Sequence, residues 1–405
     1  MAFKDIRVRF PPSPTGFLHI GNIRTFIFNW LFAKQNAGKI VLRMEDTDTA
    51  RSEKRFEDSI LADLKWLGLG WDEFYRQSER TEIYKKYLKQ LFNTGKAYED
   101  EGAIKLAVDK DKIVKFDDVV RGQIEFETKH EKDFVIARNI DSPLYHLAVV
   151  VDDYEMQISH IIRGEDHIAN TAKHILLQEA LGFTTPVYAH LPLILGTDKS
   201  KLSKRHGAVS LEEYHSLGFL SDAMFNYLAI LGFTPPSEIL SREELVTIFD
   251  LNKIHKSGAV FDTKKLEWIN GEYLKKMTDE ELLMTIGQKY EKILPMIRER
   301  IKILNDLEEF DFFFNAPKVD PEMLKWKKAT LEESKAMLKK TEEIIEKSGL
   351  NDLRTKLDEL GAGDRGLVYW PFRVALSGLK ASPDPVDIAV ILGKEETLRR
   401  IQNAI

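Results

Sequence analysis

Residues 6–48 read IRVRFPPSPTGFLHIGNIRTFIFNWLFAKQNAGKIVLRMEDTD, and this stretch predicts a strand, a helix and a second strand. In residues 6–10 apolar side chains alternate with arginines, which is the period-two pattern of a strand. Apolar residues then recur at helical spacing over residues 23–31, and the compact apolar run at residues 39–44 is typical of a buried parallel strand. Because helical patterns follow again, residues 1–98 are predicted to form part of a doubly wound α/β domain.

The character of the chain changes twice beyond this segment. Short apolar runs separated by charged turns predict a small β-rich insertion at residues 99–143. Strand–helix alternation resumes over residues 144–210, beginning with an apolar segment at residues 145–151. From residue 211 onwards the pattern is almost wholly helical. The predicted architecture is an α/β domain with a short β-rich inserted subdomain, followed by an all-α C-terminal region.

The composition excludes several classes of protein. The 405 residues include no cysteine, which rules out disulfides and any zinc site with thiolate ligands. No apolar run approaches the roughly 18 residues of a membrane span, and the first residues lack a secretory-signal pattern, so we expect a cytoplasmic protein without membrane contact. The formal net charge of -6 counts weakly against a nucleic-acid partner. RNA binding stays open, because positive charge can be confined to one face of a protein.

Charged residues follow the predicted strands at the positions where a ligand would bind. They are Arg9, Glu45-Asp-Thr-Asp48, Arg163-Gly-Glu-Asp166 and Lys199-Ser-Lys-Leu-Ser-Lys-Arg205. Each of these, taken alone, is common as a surface salt bridge, a turn or an exposed loop. Because ligands of open α/β sheets bind outside the carboxyl ends of the strands, we expect the four segments to meet at one rim. Their charges suit a zwitterion with an additional carboxylate beside a polyphosphate.

Two short motifs indicate nucleotide chemistry when they occur together. His19-Ile-Gly-Asn22 opens the predicted helix, whose N-terminus presents free N–H groups to phosphate, and Gly21 leaves room for a purine ring. In Lys201-Leu-Ser-Lys-Arg205, the ammonium groups of Lys201 and Lys204 can neutralise a departing pyrophosphate. Either motif alone is an ordinary loop. The pair, HIGN and KLSKR, resembles the signature of the class I aminoacyl-tRNA synthetases, whose catalytic domain is Rossmann-like.

Further motifs narrow the resemblance to the bacterial glutamyl-tRNA synthetases, and the likeness extends over nearly the whole chain. Besides the segments quoted above, it rests on Tyr145-His-Leu-Ala148, Val260-Phe-Asp262, Pro371-Phe-Arg373 and Leu392-Gly-Lys394. The resemblance implies an ATP-dependent glutamate–tRNA ligase, which joins L-glutamate to tRNA(Glu) through a glutamyl-adenylate and releases AMP and pyrophosphate. It also implies Mg²⁺ alongside ATP, a monomer, a stem-contacting region at residues 211–275 and an anticodon-binding region at residues 276–405.

The same resemblance implies roles for individual residues. Catalytic roles fall on His19, Asn22, Lys201 and Lys204. Contacts with glutamate fall on Arg9, Ser13, Glu45, Tyr145 and Arg163. Contacts with ATP fall on His19, Gly21, Asn22, Glu165, Asp166, Ile194, Lys201, Leu202, Ser203, Lys204 and Arg205. Contacts with the anticodon fall on Arg300 and Arg373.

The insertion at residues 99–143 departs from this family, because it is far shorter than the segment that usually holds the acceptor end of the tRNA. The sequence therefore leaves open how the acceptor end is held, and also whether tRNA(Gln) is charged. Two other functions fit parts of the pattern. A small-molecule nucleotidyltransferase would share an HxGH-type motif but has no helical RNA-binding region. A non-catalytic synthetase paralogue would bind RNA, although HIGN and KLSKR are both intact here.

Overall fold

The computed structural model describes residues 5–48, 50–203 and 210–405. The chain divides into two units, Met1–Tyr273 and Leu274–Ile405. In these described ranges, no helix combines the length and the apolar character that a membrane crossing requires.

The strands and helices of the described residues are numbered in chain order. The strands are β1 (Arg7–Phe10), β2 (Lys39–Met44), β3 (Glu73–Arg76), β4 (Ala97–Asp100), β5 (Ala103–Leu106), β6 (Ile113–Asp118), β7 (Gly122–Glu127), β8 (Phe134–Asn139), β9 (Ser142–Pro143), β10 (His160–Gly164), β11 (Val187–Leu191), β12 (Ile194–Leu195) and β13 (Ala259–Val260). The helices of the first unit are α1 (Ile20–Gln35), α2 (Lys54–Trp66), α3 (Thr81–Asn93), α4 (Tyr145–Glu155), α5 (Ile168–Leu181), α6 (Leu211–Ser216), α7 (Ser221–Ile230), α8 (Arg242–Ile248) and α9 (Thr263–Lys276), which continues into the second unit. The second unit adds α10 (Asp279–Ile286), α11 (Leu294–Arg298), α12 (Leu331–Ser348), α13 (Leu353–Leu360), α14 (Arg365–Ser377), α15 (Pro385–Leu392) and α16 (Lys394–Ala404).

Parallel strands form the centre of the first unit. Strands β1, β2 and β3 pair in that order, and a second sheet has the order β10-β11-β6-β7. The two sheets meet beside β1, where Ser159 N donates to Arg7 O at 2.9 Å and Arg7 N donates to Ser159 Oγ at 2.8 Å. The strand order therefore reverses between β1 and β10, which is the kind of switch point where doubly wound sheets bind ligands. The predicted α/β architecture is confirmed.

The apolar segment that begins at Tyr145 forms helix α4. Residues 147–153 are all buried, so apolar side chains surround this helix and the helical period is hidden in the sequence. In the β-rich insertion, β4, β5, β8 and β9 form a sheet of their own. Strand β6 instead joins the central sheet, because Asp118 pairs in parallel with Tyr188 of β11. Part of the predicted insertion thus belongs to the sheet that carries the site.

Helix α1 packs on β1 and sets the position of the loop between them. Phe10 and Phe26 stack with ring centroids 4.5 Å apart. Gly38 lies in the turn between α1 and β2, directly before β2. A Cβ at this position would lie 2.6 Å from the carbonyl oxygen of Ile6. A side chain there would push β1 and β2 apart, so the close approach requires glycine.

The second unit is built from short helices around its own core. Buried residues of α12, α14, α15 and α16 form that core, among them Leu338, Phe372, Ile388 and Ile401. The predicted all-α character of the C-terminal region is confirmed.

Asp63 of α2 predicts a pH dependence of stability. Burial and the nearby Glu212 raise the pKa of Asp63 from 3.8 to about 7. The folded chain therefore keeps a proton that the unfolded chain loses, and stability falls as pH rises between those two values. We expect Asp63→Asn to unfold at a higher temperature than the parent protein at pH 8, with a smaller difference at pH 5. Thermal unfolding at both pH values checks this, and equal differences would contradict it.

Candidate active site

A cavity of about 740 Å³ opens at the switch point between β1 and β10. Its walls come from the loop after β1, the start of α1, the end of β2, the start of α4 and the loops after β10 and β11. Most of the residues predicted to bind glutamate or ATP line it: Arg9, Ser13, His19, Gly21, Asn22, Glu45, Tyr145, Arg163, Asp166, Ile194, Lys201, Leu202 and Ser203. Each of the four charged segments thus contributes at least one described residue to this cavity.

Arg9 stands at the end of β1 with a guanidinium that the protein only partly satisfies. The residue is 2% exposed, and its Nε lies 3.4 Å from Asp153 Oδ1. That carboxylate is shared with Arg43, whose Nη1 lies 2.8 Å from the same oxygen. Nη1 of Arg9 has no hydrogen-bond partner in the described part of the chain. A buried guanidinium with an unused N–H is a preformed place for a carboxylate.

Arg43 holds the acidic residues of the site in place. It is fully buried and lies 3.1 Å from Glu45, 3.7 Å from Asp152 and 2.8 Å from Asp153. Burial opposes the charge of Arg43, but Asp153, Asp152 and Glu45 outweigh it and raise the pKa of this group. Burial raises the pKa of Glu45, and Arg43 and then Arg9 oppose that shift. Glu45 therefore lines the cavity with a carboxyl group that Arg43 orients.

Arg163, at the end of β10, is a buried cation surrounded by neutral acceptors. Its Nε donates to His190 Nε2 at 3.2 Å, and Nη2 donates to Thr171 Oγ1 at 2.7 Å. Nη1 lies 3.3 Å from His174 Nδ1. No carboxylate within the described residues is within salt-bridge distance of Arg163. Burial lowers the pKa of Arg163, opposed by the Tyr188 and Tyr145 hydroxyls. The guanidinium of Arg163 therefore lines the cavity without a negatively charged partner among the described residues.

Tyr145 closes the same part of the cavity from the start of α4. Its hydroxyl lies 3.3 Å from His167 Nδ1. Burial and the nearby Glu45 raise the pKa of Tyr145 to about 12, so the hydroxyl keeps its proton and can donate to a ligand.

His19 caps helix α1. Its Nδ1 accepts from Gly21 N at 3.1 Å and Asn22 N at 3.3 Å, and Asn22 Oδ1 accepts from His19 N at 3.3 Å. These two helix N–H groups are therefore already bonded, which corrects the expectation that they are free for phosphate. Because Nδ1 is an acceptor, the imidazole proton is on Nε2, and the helix presents that N–H instead. A Cβ on Gly21 would lie 3.0 Å from the imidazole, so glycine also makes room for the cap.

The beginning of the lysine-rich loop lies beside His19. Enclosure in the cavity and the charge of Lys201 lower the pKa of His19, while Asp166 opposes the shift. Leu202 N donates to Ile194 O at 3.0 Å, which joins this loop to the segment after β11. Lys201, Leu202 and Ser203 line the cavity. Lys204 and Arg205 lie outside the described residues, so their predicted roles stay predictions.

Glu165 is the one described residue of the predicted ATP set that does not line the cavity. Its carboxylate accepts from Leu193 N at 2.8 Å and pairs with Arg121. Arg24 holds the same segment from another side, since its guanidinium donates to Pro192 O. Glu165 thus supports the backbone next to Ile194, and a direct contact with ATP stays a prediction.

Family models place these features in a known group. A model described as tRNA synthetases class I (E and Q), catalytic domain, matches residues 5–103 and 99–268, and an anticodon binding domain model matches residues 264–405. The chain belongs to the class I tRNA synthetases. Its resemblance to the bacterial glutamate enzymes, inferred from the motifs, is confirmed by the named relatives that follow.

Several relatives of this chain are glutamate–tRNA ligases. Glutamate–tRNA ligase 2 of Fervidobacterium nodosum is 40% identical over 99% of this chain and 96% of that protein. The glutamate–tRNA ligase of Aquifex aeolicus is 46% identical over 69% of each chain. The crystal structure of a glutamate tRNA ligase from Elizabethkingia meningosepticum, in complex with its amino acid, has a TM-score of 0.87 to this synthetase, with 32% identity and 99% of both chains covered.

The catalytic-domain match is split at the beginning of the insertion. The two matched pieces overlap at residues 99–103. The alignment with the Fervidobacterium relative spans 459 residues, more than the 405 of this chain, so that relative carries residues that the synthetase lacks. The shortened insertion at residues 99–143 stays a prediction.

The two arginines predicted to read the anticodon lie in the second unit and differ in their surroundings. Arg300 is exposed and follows α11. Arg373 of α14 is half-buried, donating to Ser382 Oγ and to Pro383 O, both at 3.2 Å. Burial lowers the pKa of Arg373, Asp384 opposes this, and Arg300 adds to the lowering, so the two guanidinium groups are neighbours. Their contact with RNA stays a prediction.

Several residues around the site were not predicted from the sequence. They are Arg24, Arg43, Asp118, Thr171, His174 and His190. Of these, only Arg43 is recognisable in the sequence. It stands inside an apolar strand, where burying a charged side chain costs free energy unless the charge is paired. The others lie on α1, β6, α5 and β11, and no local pattern marks them.

Proposed function

We propose that this synthetase ligates L-glutamate to tRNA(Glu) in two steps. The observation that carries the proposal is the pair of buried arginines, Arg9 with an unused N–H and Arg163 without an acidic partner. Two such cations in one cavity suit an amino acid with a second carboxylate. Glutamine would leave a buried guanidinium without its partner, so selection against it needs no editing site. The named relatives support the same substrate.

In the first step the α-carboxylate of glutamate attacks the α-phosphate of ATP, giving glutamyl-adenylate and pyrophosphate. The Tyr145 hydroxyl and the arginines would orient the amino acid, with Ser13 adding a hydroxyl contact and Glu45 facing the ammonium group. His19 Nε2–H, Asn22 and Lys201 would meet the phosphates, joined by Lys204 and Arg205, while Ile194 would meet the adenine. These groups position the reactants and neutralise charge, which is most of what phosphoryl chemistry demands of a protein.

In the second step a terminal ribose hydroxyl of the tRNA attacks the glutamyl carbonyl, and AMP leaves. We assign residues 1–98 and 144–210 to the chemistry and residues 99–143 to the acceptor end. Residues 211–275 would contact the stem, and residues 276–405 the anticodon, with Arg300 and Arg373 among the contacts. The anticodon binding domain match at residues 264–405 supports an RNA partner and argues against a small-molecule nucleotidyltransferase.

Mg²⁺ would accompany ATP and neutralise its phosphates. In the part of the chain that the structure describes, no group of three or more His, Asp or Glu side chains is arranged to hold a metal. Asp166 lines the cavity and lies close enough to His19 to affect its pKa, so it is the carboxylate best placed to face nucleotide-bound Mg²⁺. We also propose a monomer, because one unit of one chain carries all the described cavity residues. The similarity to glutamate–tRNA ligases supports a cytoplasmic location.

The test is aminoacylation by the purified protein with labelled glutamate or glutamine, ATP, and either tRNA(Glu) or tRNA(Gln). We expect ATP-dependent attachment of glutamate to tRNA(Glu) and no attachment of glutamine. Charging of tRNA(Gln) with glutamate would add a second RNA substrate. RNA binding without any aminoacylation would contradict the proposal and indicate a non-catalytic paralogue.

A further inference from the structure

We propose that Asp118 and His190 are positioning residues that hold Arg163 in register for the glutamate carboxylate while leaving its positive charge uncompensated. The inference rests on the proposed role of Arg163 in binding glutamate. Neither residue lines the cavity, so both would act through the guanidinium.

The hydrogen bonds of Arg163 show how it is held. Of the five N–H donors of a guanidinium, four have acceptors: His190 Nε2, His174 Nδ1, Thr171 Oγ1 and His167 O, at 3.2, 3.3, 2.7 and 3.4 Å. The remaining N–H is on Nη1 and has no acceptor within the described ranges. All four acceptors are electrically neutral in this arrangement. They fix the plane of the guanidinium, yet they do not neutralise it as a carboxylate would.

Asp118 decides which nitrogen of His190 carries the proton. Its Oδ2 lies 2.6 Å from His190 Nδ1, and both residues are fully buried there. The Asp118 carboxylate also accepts from the backbone N–H groups of Val120, Arg121 and His190. An ionised carboxylate can only accept, so Nδ1 must donate to it and Nε2 must keep its lone pair, which faces Arg163 Nε at 3.2 Å and the Thr171 hydroxyl at 2.9 Å.

Electrostatics keep His190 in this neutral form. Burial lowers the pKa of His190, the hydrogen bond that His190 donates to Asp118 opposes this, and Arg163 adds to the lowering. Burial works against the charge of Asp118, but the hydrogen bonds from His190 and Arg121 N outweigh it and lower the pKa of this carboxyl. The negative charge thus stays one imidazole away from Arg163. A direct Asp118–Arg163 pair would compete with the substrate.

His174 acts on the opposite side of the guanidinium in the same manner. Its Nδ1 faces Arg163, and its Nε2 lies 3.2 Å from His146 Nδ1. Burial and the charge of Arg163 keep the pKa of His174 well below its usual value. Because Asp118 ends β6, the shortened insertion contributes directly to the geometry of the amino-acid pocket.

Two variants of His190 each replace a different nitrogen of the imidazole ring. In His190→Asn the side-chain amide can donate to Asp118 as Nδ1 does, but nothing replaces Nε2 as acceptor for Arg163. In His190→Gln the side-chain oxygen can reach the Nε2 position and accept from Arg163. We expect His190→Asn to raise the KM for glutamate by about tenfold or more, and His190→Gln by less than about threefold. The KM for ATP should change by less than about twofold in both variants.

Asp118→Asn tests the tautomer itself. The asparagine amide would donate to His190 Nδ1 and move the imidazole proton to Nε2, where it would oppose the Arg163 N–H. We expect a rise of about tenfold in the KM for glutamate, with an unfolding temperature that shows the variant is folded. This variant decides the matter if His190→Asn does not fold.

The aminoacylation assay with saturating ATP and tRNA(Glu) separates the outcomes. Equal KM values for glutamate in His190→Asn and His190→Gln, or a parallel rise in the KM for ATP, would overturn the inference. An Arg163→Ala variant is run beside them. If it raises the KM for glutamate while His190→Asn and Asp118→Asn do not, only the positioning role fails. If it leaves that KM unchanged, the assignment of Arg163 to glutamate fails as well.

Discussion

Arg163→Ala is expected to raise the KM for glutamate by about two to three orders of magnitude, while the KM for ATP changes by less than about threefold. Arg163 is a buried cation, and its nearest acceptors are neutral. A glutamate carboxylate that enters the variant cavity would lose its water without gaining a guanidinium. The cost of leaving one member of a buried charge pair alone is about 3–5 kcal/mol, which corresponds to this range.

Arg163→Lys is the matched control. Lysine keeps the charge but cannot donate to His190, His174 and Thr171 together from a planar group, so we expect an intermediate KM for glutamate. Steady-state aminoacylation at varied glutamate and varied ATP provides both KM values. Equal increases in the two KM values would remove Arg163 from the amino-acid pocket.

His19→Ala and His19→Asn are expected to lower kcat for adenylate formation by about a hundredfold or more, because both remove the imidazole Nε2–H that we propose meets the phosphates. The two variants differ in the helix cap. Asparagine is a favoured N-cap residue and can replace the Nδ1 acceptor for Gly21 N and Asn22 N, whereas alanine cannot. Only His19→Ala should therefore lose about 1 kcal/mol of folding stability.

Pyrophosphate release in the presence of tRNA(Glu), together with urea unfolding, separates the two roles of His19. Near-normal turnover by His19→Asn would show that this histidine serves only as a cap. Loss of activity in both variants, with loss of stability in His19→Ala alone, is the expected result.

Local motifs were sufficient to predict the residues at strand ends. Arg9 and Arg163 lie at the ends of β1 and β10, and Glu45 directly follows β2. Open α/β sheets gather such positions at one edge. Helix α4 was harder, because buried side chains surround it and the helical period disappears.

The surroundings of Arg163 could not be predicted from the sequence. Asp118, His174 and His190 lie on β6, α5 and β11. Asp118 reaches His190 because β6 joins β11, where Asp118 pairs with Tyr188. Periodicity predicts such elements but carries no information on this register. Glu165 is the opposite case. Its motif was recognised in the sequence, but its carboxylate accepts from Leu193 N instead of lining the cavity.

A crystal structure with a non-hydrolysable glutamyl-adenylate analogue tests most directly the claim that the cavity at the β1–β10 switch point binds glutamate and ATP side by side. We predict that the free carboxylate of the analogue lies within hydrogen-bonding distance of Arg9 or Arg163. The adenine should lie against the Ile194 backbone, and the group that replaces phosphate should lie beside His19. An analogue bound with its carboxylate away from both arginines, or with its adenosine outside this cavity, would contradict the account.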